Sequence, residues 1–392
     1  MKILSIETSC DETAISIVDC SGELKSPQFK LIASSLISQI NLHKEYGGVF
    51  PTLAKREHAT NLPIILKKVM QDSSQYNEGD QNFFAGNKSQ IELVLSKEIG
   101  LFNNLEKQFS TITRPDVDHI AVTVGPGLAP ALWVGISFAR ALSLIWNIPL
   151  VPVNHMEGHI TSVLMNRDSK NNIVFPALAV LISGGHTEIV SIPNWGTYNV
   201  IGATLDDAVG EAFDKSARMM GLPYPGGPEI SRLATYANTH NIPKKATLPR
   251  PMLHSKDLNF SFSGLKTAVL YYIRDHFNAD NSSMTELDKA DLAREIEASI
   301  IDVLIYKTKK ALEETMSQTL IVAGGVIAST TIRSAFMALK KDYEYLDIRV
   351  PSTELSTDNS TMIACAGYIT ILTKGKDFDY NSFTAEGNLK LK

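Results

Sequence analysis

Two histidines four residues apart are the first residues in this chain whose types and spacing could do chemistry. His155 and His159 lie in the stretch NHMEGH, shortly after Pro152. Residues at i and i+4 share one face of a helix, so the two imidazoles could chelate a single metal ion. Gly158 weakens such a helix but does not forbid it. The same spacing fits a pair of hydrogen-bonded structural histidines, and both interpretations stay open at this point.

A metal site needs further ligands, and the chain offers one distant candidate. Asp358, in STDN, would complete a set of two imidazoles and one carboxylate, which suits Zn²⁺ or Fe²⁺ and leaves coordination positions open. Its alternative role is a helix N-cap. A metal-dependent peptidase is a weaker alternative, because the zinc-protease helix needs Glu directly after the first histidine. Met156 stands there instead, and Glu157 points off the shared histidine face.

Glycine turns and carboxylates indicate a nucleotide. Gly-Gly pairs occur in ISGGHT (182–187), YPGGPE (224–229) and AGGV (323–326). Backbone N–H groups in such turns can approach a phosphate, although any one of them is explained by the need for φ > 0. Asp214 is predicted to bind a ribose hydroxyl, with a solvated acidic helix as the alternative. Asp11, in the SCDET turn, is a candidate to face phosphates or metal.

The segments that must position these residues repeat along the chain. ILSIETSCDETAISIVD (3–19) predicts a strand, a polar turn and a second strand, and ALAVLISGGHTEIVSI (177–192) has the same order. This favours an internal duplication in which each half opens on a hairpin, with two unrelated hairpins as the alternative. Strands then alternate with helices. The pattern therefore predicts an α/β protein with mixed sheets and a nucleotide between two lobes.

Composition sets further bounds. A length of 392 residues predicts two domains, and three scattered cysteines favour a reducing compartment. No apolar run is expected to reach the ~18 residues of a membrane helix. The apolar helix at 128–146 is predicted to be core or a subunit interface. The Asn-rich segment 72–100 is predicted to be an inserted, mobile surface loop.

The net charge of −5 gives no overall attraction to nucleic acid, so any such binding needs a local basic cluster. Each candidate cluster is alternatively a solvated face. The candidates are Lys55/Arg56, Lys67/Lys68, Lys244/Lys245 with Arg250, and Lys307/Lys309/Lys310.

Eight motifs occur in the order found in one known family. They are IETSCDETAISIV, VGPGLAPALWVGISFARAL, NHMEGH, LISGGHT, DDAVGEAFDKSARMMGLPYPGGP, FSFSGLKT, AGGVIA and STDNSTMIA. On these motifs the chain resembles the tRNA N6-adenosine threonylcarbamoyltransferase family. The resemblance implies a two-lobed actin/Hsp70-like fold. Residues 1–150 plus 360–392 would form the N-terminal lobe, with a surface insert at about 71–100, and residues 151–359 the C-terminal lobe.

The resemblance also implies a reaction and its residues. A threonylcarbamoyl group would pass from threonylcarbamoyl-AMP, an adenine nucleotide, to N6 of the adenosine at tRNA position 37, in tRNAs that read codons beginning with A. One divalent metal ion, Zn or Fe, would be held per subunit by His155, His159 and Asp358, and Asp11 is the candidate to take the amine proton. The implied substrate positions are Leu181, Ile182, Ser183, Gly184, Gly185, Asp214, Gly227, Ser231, Ala328 and Ser329. The family usually has Asn where Ser329 stands, and a hydroxyl cannot make the paired hydrogen bonds of an amide.

Partners and location follow from the same resemblance. The HMEGH form is similar to the bacterial and mitochondrial branch, and the Asn-rich segment adds to this. We therefore expect a mitochondrial protein whose targeting segment is not in this sequence, or otherwise a cytoplasmic one. The expected partners are tRNA, the threonylcarbamoyl-AMP synthase that supplies the substrate, and a second copy in a homodimer, with no membrane. A small-molecule kinase on the same fold and a non-enzymatic nucleotide-binding partner are the remaining alternatives.

Overall fold

The computed structural model describes residues 1–79, 82–98, 100–165, 172–277, 283–375 and 382–392. The chain forms two compact units, Met1–Asn172 with Asp358–Lys392, and Ile173–Thr357. This division differs from the lobe boundaries expected at 150 and 360. Residues 151–172 belong to the first unit because Val151 to Asn154 pair with the strand that starts at His119.

The elements have the following bounds. The strands are β1 Lys2–Glu7, β2 Glu12–Ser21, β3 Gln28–Ser38, β4 His119–Gly125, β5 Leu150–Asn154, β6 Ala177–Ile182, β7 Thr187–Asn194, β8 Thr197–Ala203, β9 Thr319–Ala323 and β10 Asp347–Arg349. The helices are α1 Ile40–His43, α2 Pro51–Asp72, α3 Lys88–Val94, α4 Leu101–Phe109, α5 Ala129–Trp146, α6 His155–Thr161, α7 Val209–Met219, α8 Gly226–Thr239, α9 Ser263–His276, α10 Glu286–Thr315, α11 Thr330–Ala338, α12 Thr353–Ser356 and α13 Ser360–Lys374. Short 3-10 helices occur at Lys44–Tyr46, Ser162–Met165, Gly325–Ala328 and Leu339–Lys341.

The two units contain sheets of the same topology. The first sheet has the order β3-β2-β1-β4-β5, and the second has the order β8-β7-β6-β9-β10. In each sheet the opening hairpin and third strand are antiparallel. The fourth strand pairs in parallel with the first, and the fifth pairs in parallel with the fourth. The matching order confirms the α/β class and the duplication, since two unrelated hairpins would not recruit their other strands in the same order and direction.

Helices cover both faces of the first sheet. On β1, Leu4 and Ile6 pack in the core formed with α2 and α5, whereas Ile3 packs against α13 on the other face. A strand buried on both faces is apolar at nearly every position, which explains the continuous run in ILSI. The polar residue in that run, Ser5, is buried with its hydroxyl 2.7 Å from the Ser16 hydroxyl.

Helix α5 is part of this core. It has 18 residues and is apolar enough to cross a membrane by length and composition, so the expectation that no such stretch exists was wrong. However, 61% of it is buried inside the protein, as in the core helix of a globular domain. The interface alternative also loses support, because the residues that set its helical spacing, including Leu132 and Ile136, are fully buried, while Trp133 is 38% exposed.

The segment 72–100 is more ordered than an inserted loop. Its described part contains α3, and Phe84, Ile91 and Leu95 are buried in the first unit's core. The prediction of a mobile surface loop was therefore wrong for this part. The apolar residues dispersed among Asn and Gln anchor the segment, and the composition of the whole stretch concealed them.

Candidate functional site

The two histidines lie where the sequence placed them, on one face of a short helix. Asn154 ends β5 and caps α6, since its side chain accepts a hydrogen bond from the backbone N–H of Met156 over 2.8 Å. One turn separates His155 from His159, and their ring centroids are 4.7 Å apart. Both residues are buried. The Asn154 cap therefore sets the start of this seven-residue helix at His155, and both imidazoles point into the protein.

Helix α13 brings the third group to this helix. A Cβ at Gly158 would lie 3.0 Å from Ile363 Cδ1 and 3.1 Å from Met362 Cγ, so the glycine permits the close approach of α6 and α13. Asp358 lies just before α13, and its Oδ1 is 3.4 Å from Nε2 of His155 and 3.3 Å from Nε2 of His159. The alternative role as N-cap belongs to the next residue, since the Asn359 side chain accepts from Met362 N over 3.0 Å.

The donor set fits a divalent metal ion. One ligand atom from each of His155, His159 and Asp358 lies within 4.8 Å of the others. Both ring nitrogens of His159 are buried and form no hydrogen bond with any residue that the structure describes. The 3.3 Å contact to Asp358 lacks hydrogen-bond geometry, so the His159 nitrogen on that side is left for a ligand. Two imidazoles and one carboxylate suit Zn²⁺ or Fe²⁺.

Electrostatics favour the metal-binding states of His159 and Asp358, whereas without a metal ion they favour the protonated form of His155. Burial, followed by the neighbouring charge of His155, lowers the pKa of His159 and so favours its neutral form. Burial would raise the pKa of Asp358, but the charge of His155 and the close approach of both imidazoles outweigh it, and the pKa is lowered. Burial likewise opposes the charged form of His155, but Asp358 and Glu7 raise its pKa. In the absence of metal, the pair of carboxylates therefore holds a proton on His155.

Glu7 is a site residue that the sequence interpretation missed. It ends β1, is fully buried, and its Oε2 lies 3.0 Å from Nδ1 of His155. Its carboxylate also accepts from the Ser9 backbone N–H at 2.5 Å and the Thr123 hydroxyl at 2.6 Å. A carboxylate on the remaining nitrogen of a ligating histidine fixes the tautomer and the ring orientation. The signal in the sequence was a single charged residue closing an otherwise apolar strand.

The predicted catalytic carboxylate, Asp11, lies in the β1–β2 turn of the same unit and is buried. Its neighbour Glu12 has a pKa raised well above the usual value by burial and then by the charges of Asp358 and Asp11. The coupling to Asp358 places the turn within electrostatic reach of that candidate ligand. His58 supports the turn from α2, with Nε2 2.9 Å from the carbonyl oxygen of Cys10.

The second unit contains a cavity of about 540 Å³. Six of the predicted substrate positions line it, namely Gly184, Asp214, Gly227, Ser231, Ala328 and Ser329. Leu181 and Ile182 are fully buried strand residues, and neither they nor Ser183 and Gly185 are among the lining residues. Residues that the sequence interpretation did not assign also line it, including Phe213, Arg232 and Thr235.

Asp214 has a structural partner as well as a place in the cavity wall. Its Oδ1 accepts a hydrogen bond of 2.7 Å from the backbone N–H of Gly226, at the start of α8. Burial raises its pKa, while hydrogen bonds from Gly226 and Gly227 oppose the rise. A carboxylate at a helix N-terminus is stabilised by the helix dipole. The acidic residues upstream have a different role, since Asp206 accepts from Phe262 N at 2.8 Å and anchors the start of α9.

Several members of the predicted basic clusters pair with acids, including Lys55 with Glu98, Arg56 with Glu57 and Lys68 with Asp72. Lys307 is fully buried and contacts Ser255 Oγ and Asp257 O, and Lys309 pairs with Asp342 at 2.6 Å. Arg250 pairs with Glu295 and Asp302. Lys244 and Lys245 are exposed, and neither forms an ion pair with the described residues.

Comparison with known proteins decides the family. Residues 30–78 and 104–365 match the family model "TsaD: tRNA N6-adenosine threonylcarbamoyltransferase". The curated tRNA N6-adenosine threonylcarbamoyltransferase of Burkholderia ambifaria is 42% identical over 368 residues, covering 94% of this chain and 91% of that protein. That of Thermosipho melanesiensis is 40% identical over 368 residues, covering 94% of each chain. The chain belongs to this family.

Family membership settles the reaction class. The chain is a transferase that forms N6-threonylcarbamoyladenosine in tRNA, and this replaces the peptidase, kinase and non-enzymatic alternatives. The segment 79–103, which the family model does not match, contains α3 and the residues that anchor it.

Solved structures add weaker likenesses. The activator of 2-hydroxyisocaproyl-CoA dehydratase from Clostridium difficile, with bound ADPNP, aligns with a TM-score of 0.45 at 11% identity, covering 97% of this chain and all of that one. HypF of T. kodakarensis aligns with a TM-score of 0.49 at 12% identity, covering 71% of this chain and 44% of that one. Both scores lie below 0.5, and the fold assignment rests on the strand order of the two sheets.

Proposed function

We propose that this transferase uses threonylcarbamoyl-AMP as donor and N6 of the adenosine at tRNA position 37 as acceptor, in tRNAs that read codons beginning with A. The bond between N6 and the carbamoyl carbon forms, the bond from that carbon to the AMP phosphate oxygen breaks, and N6 releases one proton. The donor is already activated, whereas the aromatic amine is a poor nucleophile. Positioning and polarisation of the carbonyl therefore supply most of the rate enhancement.

The observation that carries the proposal is the convergence of the α6 residues His155 and His159 with Asp358, about 200 positions later in the chain, on one point. These side chains would hold one Zn²⁺ or Fe²⁺ ion, which when bound supplies positive charge that can polarise a carbonyl oxygen. Glu7 keeps the proton of His155 on Nδ1, so that Nε2 faces the ligand cluster. Asp358 remains ionised because its histidine neighbours lower its pKa.

Asp11 is proposed to take the proton that N6 releases. Burial and nearby carboxylates raise the pKa of Glu12 well above its usual range, which favours the protonated form of Glu12 and makes it a poor acceptor for this proton. An Asp11→Asn variant keeps the size of the side chain and removes the base. Loss of product formation with unchanged metal content is the expected result, and full activity would remove Asp11 from the mechanism.

The cavity of the second unit is proposed to hold the AMP part of the donor. Asp214 offers a carboxylate for ribose hydroxyls, and Gly184 offers backbone at the β6–β7 turn for the phosphate. Gly227 leaves the wall open, since a Cβ built there would have Phe213 Cβ at 4.0 Å as its nearest neighbour. Ser231 and Ser329 would contact the base.

Reconstitution tests the function as a whole. Unmodified tRNA, threonine, bicarbonate, ATP and a threonylcarbamoyl-AMP synthase are combined with and without the chain, and the modified nucleoside is quantified after tRNA digestion. We expect product that depends on the chain and is lost with His155→Ala. Modification at another nucleoside, or equal product from the His155→Ala variant, would contradict the proposal.

We further propose a mitochondrial location and a homodimer. The form HMEGH and the 40–42% identity to bacterial family members support the first. Tyr46 and Phe50 support the second, because they stack at 5.5 Å while remaining 60% and 49% exposed. Imaging of the tagged protein in its source cells tests the location. Light scattering of the wild type and of Tyr46→Ser/Phe50→Ser tests the dimer, and a monomeric wild type would exclude it.

A further inference from the structure

Three polar side chains from three helices meet behind the wall of the second unit's cavity. Ser231 lies on α8, Ser329 caps α11 and Glu297 lies on α10. Both serines line the cavity, whereas Glu297 is 2% exposed and is not part of its lining. Glu297 therefore reaches the cavity through the two serine hydroxyls.

The hydrogen bonds fix the direction of both hydroxyls. The Ser231 hydroxyl donates to Oε1 of Glu297 over 2.7 Å, and the Ser329 hydroxyl donates to the same oxygen over 3.2 Å. The serine oxygens lie 3.2 Å apart, and the shorter contact to Glu297 takes the single hydrogen of Ser231. Each hydroxyl has one hydrogen, so the side that faces the cavity presents lone pairs and no donor.

The carboxyl group keeps this role in either protonation state. Burial raises the pKa of Glu297, and hydrogen bonds from Ser231, Ser329 and Thr331 oppose the rise. Oε1 accepts from both serine hydroxyls, and it keeps lone pairs for these bonds when the other carboxyl oxygen is protonated. Burial of a carboxyl group is costly unless it is hydrogen-bonded, and Ser231, Ser329 and Thr331 are the partners of Glu297.

A wall that accepts hydrogen bonds selects ligands that donate them. The exocyclic 6-amino group of adenine donates, whereas the 6-oxo group of hypoxanthine or guanine accepts and would face serine lone pairs with no hydrogen between them. A site built for a hydrogen-bonding group discriminates strongly against the analogue that cannot form the bond. We propose that Glu297 is a positioning residue that holds the Ser231 and Ser329 hydroxyls as acceptors and so makes the cavity specific for a 6-amino purine. This rests on the proposed function, in which the cavity holds AMP.

Nucleotide binding without turnover tests the proposal. The affinities of the full chain for AMP and for inosine monophosphate are measured by isothermal titration calorimetry. We expect the wild type to bind AMP at least about 10-fold more tightly. In Glu297→Leu the hydroxyls are free to rotate and can donate or accept, so the AMP preference falls to within about 3-fold. Ser231→Ala/Ser329→Ala, which leaves Glu297 in place, shows the same loss of preference.

Glu314→Leu is the matched control, because it makes the same change at an exposed position of the same helix, and it keeps the wild-type preference. Circular dichroism and thermal unfolding establish that each variant is folded. The role of Glu297 is contradicted if the wild type binds the two nucleotides equally, or if folded Glu297→Leu keeps the wild-type preference. Neither result contradicts the assignment of the cavity to AMP. Absence of AMP binding by the wild type overturns the cavity assignment and this inference with it.

Discussion

Oε2 of Glu7 lies 3.0 Å from Nδ1 of His155, and the two residues are 148 positions apart in the chain. The contact joins the last residue of the first strand to the first residue of the histidine helix. Burial raises the pKa of Glu7, but the charge of His155 and hydrogen bonds from His155 and Thr123 reverse this and lower it. The fold thus supplies an ionised carboxylate that orients one ligand of the proposed metal centre.

Removal of this carboxylate should weaken metal binding without abolishing it. His155→Ala deletes a ligand, so we expect the purified protein to lose its metal. Glu7→Gln keeps the shape but weakens the orientation of His155, and loss of a carboxylate bound to a ligating histidine costs about 10- to 100-fold in metal affinity. Inductively coupled plasma mass spectrometry measures the metal content, and competition with a chelator measures the metal affinity. His240→Ala, at an exposed histidine of the other unit, is the control, and an unchanged affinity in Glu7→Gln would contradict the orienting role.

Two adjacent glycines should respond differently to the same substitution. A Cβ at Gly226 would lie 2.5 Å from Ala217 Cβ and 2.8 Å from Asp214 Cα, so Gly226→Ala must push α8 from α7. We expect a loss of about 1–3 kcal/mol in urea unfolding, as is typical of overpacking. A methyl group at Gly227 meets open cavity instead, with its nearest neighbour at 4.0 Å.

Gly227→Ala should therefore keep the unfolding midpoint and lower the affinity for AMP by about 10-fold, close to 1.4 kcal/mol. Each glycine is the control for the other, because the change is the same and the positions are consecutive in one helix. Equal destabilisation by both substitutions would argue against the packing difference. Unchanged AMP binding in Gly227→Ala would argue against the cavity as the nucleotide site.

The buried His58 should make stability depend on pH. Its Nε2 lies 2.9 Å from the Cys10 carbonyl oxygen and must donate, so Nδ1 accepts from the Thr13 hydroxyl at 2.8 Å and from the Gln39 amide at 3.3 Å. Protonation of Nδ1 would break both of these bonds. Burial, assisted by the neighbouring His43, lowers the pKa of His58 to about 4, although Cys10, Glu7 and Asp11 oppose this.

A lowered histidine pKa means that the unfolded chain binds more protons than the folded one between the two pKa values. The stability contributed by neutral His58 is complete above about pH 6.5 and is lost as pH falls toward 4, by about 3 kcal/mol over the window. Urea unfolding at pH 7, 6, 5 and 4.5 should show this slope. In His58→Gln the slope of unfolding free energy against pH should correspond to about one proton fewer taken up on unfolding. In His240→Gln the slope should be unchanged. A parallel pH profile in His58→Gln would exclude His58 as the cause.

The sequence predicts site residues that are close together in the chain, and it does not reveal those whose partners are distant in the chain. The spacing of one helical turn predicts that His155 and His159 share a face, and the two similar hairpins predict the duplicated sheets. Asp358 had two possible roles until the structure gave the capping role to Asn359. Glu7 looked like the polar end of a strand, because nothing near it in the chain reveals a partner 148 residues away.

Acidic helices conceal buried carboxylates for a related reason. Glu297 lies on α10 among several other acidic residues, and periodicity alone does not separate the one that enters the interior from those that meet solvent. Leu181 and Ile182 show the converse, since the motif that contains the predicted substrate loop also contains the buried strand that precedes it. Burial, and not residue type, separates these roles, and burial is a property of the assembled unit.

Lys244 and Lys245 should contribute to tRNA binding. They are exposed, and the backbone N–H groups of Lys245 and Ala246 donate to Asp291 at 2.9 and 2.8 Å, which fixes the chain beneath them. A protein with a net charge of −5 needs such a local basic surface to meet a polyanion. Lys244→Ala/Lys245→Ala should weaken tRNA binding by about 10-fold at low salt and reduce the salt dependence by about 1–2 in log–log slope, as expected for two lost phosphate contacts.

Filter binding across a salt series measures the tRNA affinity and its salt dependence. Lys309→Ala removes a lysine already paired with Asp342 and should leave both affinity and slope unchanged, whereas an equal effect of the two variants would contradict a local contact at Lys244 and Lys245.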